Sequence, residues 1–177
     1  MPTPIADATP HLVLGGARSG KSSHAEGLVT RFAGPYIYVA TAQVLDEEMR
    51  ERVDKHRERR GSGWQTVETP LDLPGTLKEL RSAGRPILVD CLTLWLSNLL
   101  LQEDSGRHEG RVEALCRRIE EADHPLVLVS NEVGSGIVPE NALARQFRDL
   151  AGFANQRVAE ACRRVTLVVA GLPVKLK

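Results

Sequence analysis

The chain has 177 residues, 42% of them hydrophobic, and its 23 basic residues are balanced by 23 acidic ones. A chain of this length buries about 70% of its unfolded surface, and this composition excludes disordered and collagen-like proteins. Zero net charge removes the long-range attraction that non-specific polyanion binders need, so nucleic acid is not an expected partner.

Apolar runs of strand length alternate with longer segments of helical periodicity along the chain. In chain order we predict strands at 11–16, 36–42, 65–69, 86–91, 125–132 and 165–171, and helices near 20–32, 46–60, 71–83, 92–102, 107–122 and 141–163. The alternation predicts a single-domain α/β fold with a mostly parallel central sheet and helices on both faces. We expect residues 1–10 to form a loose tail and residues 11–177 to form the domain.

The sequence predicts neither a membrane span nor a targeting signal. The longest uncharged stretch, residues 32–45, is shorter than the roughly 20 apolar residues that a spanning helix needs. The first 17 residues lack Lys and Arg, which does not match a secretory or transit signal. We therefore expect a cytoplasmic protein in which Cys91, Cys116 and Cys162 are reduced and mostly buried.

A glycine-rich motif of the form G-x-x-x-x-G-K-[ST] joins the first predicted strand to the first helix. Its residues are Gly15, Gly16, Ala17, Arg18, Ser19, Gly20, Lys21 and Ser22. In such a loop, backbone N–H groups converge on phosphate oxygens, the lysine reaches the β- and γ-phosphates, and the hydroxyl binds Mg²⁺. The motif predicts a P-loop NTPase-like domain that binds a nucleoside triphosphate; the alternative is a plain glycine turn.

A carboxylate closes the predicted strand at 86–91. Asp90 and the phosphate loop both follow strands of a parallel sheet, so we expect them at the same sheet edge. We predict that Ser22 and Asp90 bind the Mg²⁺ of the nucleotide, with capping of the next helix as the alternative role of Asp90.

The predicted helix at 46–60 holds six acidic and six basic residues, which is typical of a solvated, salt-bridged helix. His56 nevertheless shares a narrow face with Leu45, Met49 and Val53, so it is expected to face the body of the protein. On this pattern alone, His56 is interpreted as a packed or hydrogen-bonded structural histidine.

Several motifs, in this order and spacing, resemble a known enzyme family. Besides the phosphate loop they are YVATA at 38–42, DEEM at 46–49 with His56, NEVGSGIVPEN at 131–141 and RQFRDLAG at 145–152. The set resembles the bifunctional adenosylcobinamide kinase / adenosylcobinamide-phosphate guanylyltransferase family of cobalamin biosynthesis, from about residue 12 onwards. The 131–141 motif is the specific part, because many unrelated NTPases have a phosphate loop.

The resemblance implies two reactions. A nucleoside triphosphate, ATP or GTP, phosphorylates the aminopropanol hydroxyl of adenosylcobinamide, and GMP is then transferred from GTP to adenosylcobinamide phosphate through a guanylylated histidine. The match assigns that histidine to His56 and makes Lys21 the other catalytic residue. It implies a homotrimer and nucleotide contacts at Gly15, Gly16, Ala17, Arg18, Ser19, Gly20, Lys21, Ser22, Ala40, Thr41, Ala42, Arg57, Glu58, Arg59, Arg60, Glu68 and Asp90.

Each implied contact has a physical use and an alternative. The arginines after His56 would neutralise the charge of a triphosphate. Glu68 would accept hydrogen bonds from guanine N–H groups; the alternative is a strand residue that faces solvent. Loop 131–141, whose Pro139 is predicted to start the next helix, is expected to line the corrinoid pocket or the nucleotide pocket. The alternative is a plain connection between a strand and a helix. Trp95 is interpreted as core or subunit contact rather than a base-stacking platform.

Two other functions use the same motifs. A one-step small-molecule kinase would need the phosphate loop and Asp90 but not His56. A non-catalytic nucleotide-dependent switch would need only loops that respond to the γ-phosphate. Covalent labelling by GTP distinguishes the bifunctional enzyme from both.

Overall fold

The computed structural model describes residues 9–43, 60–102 and 106–177. The described strands are β1 (His11–Gly15), β2 (Tyr36–Ala40), β3 (Trp64–Glu68), β4 (Ile87–Asp90), β5 (Leu126–Asn131), β6 (Arg164–Val169) and β7 (Leu172–Lys175). The described helices are α1 (Lys21–Val29), α2 (Leu73–Leu80), α3 (Leu92–Gln102), α4 (His108–Glu120) and α5 (Ala142–Ala161), and a 3-10 turn, Arg81–Ala83, follows α2.

The strands form one sheet in the order β3-β2-β4-β5-β1-β6-β7. Every neighbouring pair is parallel except β6 and β7, which are antiparallel. The predicted α/β class with a mostly parallel sheet is confirmed. Parallel strands share a carboxyl edge, so the loops that follow β1, β2, β3, β4 and β5 gather at one side of the domain.

The core has two parts, one on each face of the sheet. Strand side chains alternate between them: Leu12 and Leu14 belong to the larger part, and Val13 to the smaller. The larger part contains residues of α2, α3, α4 and α5, whereas Ala25 and Val29 of α1 pack on the opposite face. Helices on both faces are therefore confirmed, and burial from both sides explains the continuously apolar strands.

Strand β7 is the element that the sequence analysis missed. The last predicted strand extended to Gly171, but β6 ends at Val169, and Ala170 and Gly171 take positive φ values of 51° and 78° in a tight turn. All four residues of β7 are exposed, and it contains a proline, Pro173. A short edge strand of this kind lacks the buried apolar run from which the other strands were predicted.

The other predicted elements agree with the structure within a few residues, and α3 has the predicted bounds. The predicted helix at 46–60 lies outside the described residues, apart from the helical Arg60. At the end of the predicted tail, Thr9 and Pro10 are buried, and the Pro10 carbonyl accepts from the backbone N–H groups of Arg163 and Arg164. The packed part of the chain thus includes these two residues.

Trp95 and the cysteines are structural. Trp95 is fully buried and its indole N–H donates to the Leu71 carbonyl at 2.8 Å, which confirms the core interpretation. Since the neighbouring apolar residues of α3 are also buried within the chain, this face is not available as a subunit contact. All three cysteines are free and buried, and burial raises the pKa of Cys91 and Cys116 to about 11 and of Cys162 to about 12.

Candidate functional site

The phosphate loop joins β1 to α1 as the motif predicts. Gly20 precedes α1 with a φ of 92°, in the left-handed region where glycine carries no steric penalty. A Cβ at Gly15 would lie 2.4 Å from Ser19 Oγ and 2.7 Å from the Val168 carbonyl oxygen. The two glycines are therefore required by the turn, and the loop leads directly into a helix N-terminus whose first N–H groups lack intrahelical partners.

Lys21 lies back across this loop. Its ammonium donates to the Gly16 carbonyl at 3.0 Å in an exposed position, so a stronger acceptor can displace that carbonyl. Ser19 donates its backbone N–H to Gly16, while its buried hydroxyl has no partner among the described residues. Gly171, in the β6–β7 turn, donates its backbone N–H to the Ser19 carbonyl at 2.8 Å, which ties the phosphate loop to this turn.

Three predicted site residues lie side by side at the carboxyl edge. Ala40 is in register with Glu68 on one side and with Asp90 on the other. Residues in register on parallel strands point to the same face, and Ala40 belongs to the part of the core that α1 covers. Asp90 and Glu68 are thus on the α1 face, and Glu68 is exposed, which leaves both of its predicted roles open.

Lys21 and Asp90 lie at the same edge of the sheet. Lys21 starts α1 directly after the loop that follows β1, Asp90 ends β4, and only β5 separates these two strands. Burial raises the pKa of the Cys91 thiol, the charge of Asp90 raises it further, and the charge of Lys21 opposes the increase, in agreement with this placement.

Thr41 has a role that the sequence analysis did not foresee. It is fully buried; its hydroxyl donates to the Cys91 carbonyl at 2.6 Å and accepts from the Cys91 N–H at 2.9 Å. Asn98 also donates to the Thr41 carbonyl at 2.8 Å. The Thr41 hydroxyl thus joins the ends of β2 and β4, so a nucleotide contact in this segment has to come from Ala40, Ala42 or the backbone.

Arg60 lies over the same face of the sheet. Its guanidinium carbon is 3.3 Å from the centroid of the Tyr38 ring, a cation–π contact. Burial raises the pKa of Tyr38, the charge of Asp90 adds to this effect, and Arg60 opposes it. Arg60 is thus held against Tyr38 of β2, on the face of the sheet that α1 covers. The predicted residues His56, Arg57, Glu58 and Arg59 lie outside the described residues.

Loop 131–141 leaves β5 beside the phosphate loop. The backbone N–H of Glu132 donates to the Gly15 carbonyl at 3.2 Å, and the Glu132 carboxylate accepts from the Gly134 N–H. Arg145 and Arg148 of α5 donate to carbonyls of the loop. The loop is thus fixed at both ends. Pro139 does not start the helix as predicted: α5 starts at Ala142, and the Asn141 side chain accepts from the Ala144 N–H as its cap.

The described residues fit a nucleotide-borne Mg²⁺ rather than an all-protein metal site. They contain no group of three or more His, Cys, Asp or Glu side chains that would hold a metal alone. The hydroxyl of Ser22 and the carboxylate of Asp90 are oxygen donors, which suit an ion that takes its other ligands from phosphates and water.

A glycine-rich turn between a central parallel strand and a helix, with a lysine across the turn and a carboxylate on a nearby strand, defines a P-loop nucleotide-binding protein. In agreement, the fold is similar to that of the flagellar accessory protein FlaH from Methanocaldococcus jannaschii, with a TM-score of 0.53, 12% sequence identity and coverage of 94% of this chain and 77% of that chain. No helix of the described ranges is long and apolar enough to cross a membrane.

Sequence comparison identifies the family. The family model described as cobinamide kinase / cobinamide phosphate guanyltransferase matches residues 11–176. The chain is 51% identical over 166 residues to the bifunctional adenosylcobalamin biosynthesis protein CobP of Pseudomonas aeruginosa, covering 94% of this chain and 96% of that protein. It is 42% identical over 182 residues to CobU of Salmonella typhimurium, covering 94% and 98%. The chain belongs to this family, which confirms the predicted resemblance and the prediction of a bifunctional kinase and guanylyltransferase.

Proposed function

We propose that the chain phosphorylates the aminopropanol hydroxyl of adenosylcobinamide with ATP or GTP and then transfers GMP from GTP, through guanylylated His56, to give adenosylcobinamide-GDP. The observation that carries the proposal is the placement of Lys21 and Asp90 at the carboxyl edge beside the phosphate loop, in a chain that matches the family over residues 11–176. Both reactions need a bound triphosphate, and the phosphate-loop motif at this edge supports the proposal that it binds here.

In the kinase step, the phosphate loop holds the nucleotide and Lys21 compensates charge on its β- and γ-phosphates. Lys21 would exchange its hydrogen bond to the exposed Gly16 carbonyl for charged phosphate oxygens, which are better acceptors. Ser22 and Asp90 would hold Mg²⁺, which neutralises phosphate charge when bound. The substrate hydroxyl then attacks the γ-phosphorus in line with the bond that breaks.

In the guanylyl step, an imidazole nitrogen of His56 attacks the α-phosphorus of GTP and pyrophosphate leaves with the electrons of the broken P–O bond. An oxygen of adenosylcobinamide phosphate then attacks the same phosphorus, and the nitrogen–phosphorus bond breaks. The role of His56 is supported by its match to the family motif. The contact of Arg60 with Tyr38, on the face of the sheet that α1 covers, supports the proposal that the segment after His56 reaches the nucleotide.

The corrinoid is proposed to bind against loop 131–141. Ile137 is 96% exposed and Val138 63% exposed, on a loop whose start is hydrogen-bonded to the phosphate loop. Leu143, at the start of α5, adds a third exposed apolar side chain. An apolar surface beside the transferred phosphate suits a substrate with a large macrocycle.

The proposed homotrimer is supported by a different surface from the one that the sequence suggested. Val169, Leu172 and Val174 are exposed along the β6–β7 hairpin, and a cluster of exposed apolar side chains is typical of a contact between proteins. A cytoplasmic location is proposed because the reduced state of the three free cysteines fits a reducing compartment.

Labelling with GTP tests the proposed function. Denaturing electrophoresis should show covalent label from the α-phosphate and none from the γ-phosphate, and the adduct should be acid-labile and alkali-stable, as a phosphoramidate is. Phosphorylation of adenosylcobinamide without covalent label would indicate a one-step kinase. Nucleotide binding with neither activity would indicate a switch. An acid-stable adduct would assign the attack to Ser, Thr or Tyr.

A further inference from the structure

Strand β5 lies between the strand that carries the phosphate loop and the strand that carries Asp90. Its last residue, Asn131, is in register with Gly15, the last residue of β1. On the other side of β5, Val129 is in register with Asp90. Asn131 therefore lies at the carboxyl edge between the two predicted groups, two residues further toward the loops than Asp90 is.

The side chain of Asn131 is on the α1 face. Val129 belongs to the part of the core covered by α1, and residues two apart on a strand point to the same face. The phosphate loop leads into α1, and Asp90 is on this face as well. Asn131 consequently shares its face with the groups that bind phosphate.

The backbone of Asn131 is held from two sides. Its N–H donates to Thr93 Oγ1 of α3 at 2.8 Å, and its carbonyl accepts from Asn155 Nδ2 of α5 at 3.0 Å. The Oδ1 atom of the buried Asn155 also accepts from the Ser130 hydroxyl at 2.7 Å. Asn155 thus uses both ends of its amide to fix this strand end, which keeps the position of Asn131 constant.

The amide of Asn131 itself has no hydrogen bond within the described part of the chain, and the side chain is half-buried. The other three asparagines use theirs internally: Asn98 donates to two carbonyls, Asn141 caps α5, and Asn155 holds β5. A fixed backbone that presents a free amide beside a phosphate loop is the arrangement expected for a ligand contact.

We propose that Asn131 is a catalytic residue of the phosphoryl transfer, with Thr93 and Asn155 as positioning residues. Its amide N–H donates to an oxygen of the γ-phosphoryl group during transfer. The hydroxyl oxygen of the substrate forms the new bond to the γ-phosphorus, the bond to the bridging oxygen breaks, and the nucleoside diphosphate leaves with the electron pair, while the hydroxyl proton passes to solvent. The amide loses no proton. This inference rests on the proposed kinase step and not on the histidine step.

Asn131→Ala and Asn131→Asp test the catalytic role. We expect kcat of phosphorylation to fall by about 100-fold in both, because one loses the donor and the other adds a charge that repels phosphate. The Kd for GTP in Asn131→Ala and its rate of α-phosphate labelling should change by less than about threefold. Lys78→Ala, at an exposed position of α2 outside the phosphate loop and loop 131–141, is the control and should keep kcat within about twofold.

Thr93→Val tests the positioning role while keeping the shape of the side chain. We expect kcat to fall by about tenfold at unchanged Kd, and the double variant with Asn131→Ala to be no slower than Asn131→Ala alone, because the two residues act as one unit. Unchanged kcat in the Asn131 variants, or equal losses in phosphorylation, labelling and GTP binding, would overturn the proposal. A parent protein that phosphorylates without forming an adduct contradicts the histidine step only, and the kcat comparison still decides the role of Asn131.

Discussion

The two edges of the sheet differ in how their charges are used. At the amino edge, a cleft of about 450 Å³ lies between α2, α4 and the start of β5, and four of its charged side chains form two ion pairs: Arg81 with Asp123 at 3.1 Å and Arg118 with Glu121 at 2.6 Å. At the carboxyl edge, Lys21 and Asp90 follow strands that are separated only by β5, yet they form no ion pair among the described contacts. The edge at which these opposite charges stay unpaired is the one that matches the phosphate motif.

This difference shows why the size of a cavity is a weaker guide to function than the state of its polar groups. Paired charges at a surface have already found partners and contribute little to stability. Unpaired charges and free amides at a strand edge retain their capacity to bind a ligand. The following substitutions test whether function is confined to the carboxyl edge.

Lys21→Ala should give the largest effect. The β- and γ-phosphates lose their ammonium partner, so we expect both phosphorylation and GMP transfer to fall by at least about three orders of magnitude. Steady-state rates of both products measure this. Lys78→Ala, in the amino-edge cleft, is the matched control and should keep both rates within about twofold. Activity retained in Lys21→Ala would contradict the phosphate-site assignment.

His56→Asn should separate the two reactions. Asparagine keeps polarity and approximate size but cannot form the phosphoramidate, so GMP transfer should fall by at least about three orders of magnitude while phosphorylation falls by less than about tenfold. Both products are followed in one reaction, with circular dichroism to check folding.

Equal losses in the two reactions of His56→Asn would assign the residue to nucleotide binding or to the fold. Normal GMP transfer would place the nucleophile elsewhere, and His24 in α1 is the next candidate. Burial lowers the pKa of His24, and the charge of Arg31 lowers it further, so its imidazole is neutral and able to attack. His24→Asn is therefore the control, and we expect it to retain GMP transfer.

Thr41→Val should affect stability more than chemistry. It leaves the buried Cys91 N–H without its acceptor, while the Cys91 carbonyl keeps its bond from the Trp95 N–H, so the free energy of unfolding should fall by about 1–3 kcal/mol. Denaturant unfolding measures the loss, and Thr41→Ser, which keeps the hydroxyl, should recover most of it. A fully stable Thr41→Val protein would show that the bond between β2 and β4 contributes nothing.

Arg81→Ala, at the amino edge, should have the smallest effect. Both partners of the Arg81–Asp123 pair are exposed, so Tm should change by less than about 2 °C and both activities should be unchanged. The hydrogen bond from Arg81 lowers the pKa of Asp123 in the folded state. Its contribution is therefore present at neutral pH and is lost as Asp123 becomes protonated, so the Tm difference between parent and variant should vanish on acidification. A large loss of activity would show that the amino edge takes part in function.

The sequence predicted the parts of the structure that depend on local pattern. Continuous apolar runs identified the buried parallel strands, and the spacing of Gly15, Gly20 and Lys21 identified the loop between β1 and α1. Register then followed from parallel pairing, which brought Asp90 to the edge that carries the loop. These features depend on few residues and on general geometry.

Features that depend on tertiary partners escaped prediction. In the sequence, Thr41 is a polar residue near the end of a predicted strand, and nothing local indicates that its hydroxyl bonds to Cys91, 50 residues away. The cation–π contact of Arg60 with Tyr38 and the hydrogen bond from Asn155 to the end of β5 also join residues that are distant in the sequence. The sequence signal available for Asn131 was its place at the start of the family motif, which gave no role to its side chain.

The hydrogen bond from Gly171 to Ser19 couples the phosphate loop to a segment that is distant along the chain. The loop connects β1 to α1, whereas Gly171 lies in the turn between β6 and β7. Undocking of the β6–β7 hairpin would leave every residue of the loop in place but would remove this contact. The proposed affinity for nucleotide therefore depends on the local stability of the hairpin as well as on the residues of the loop.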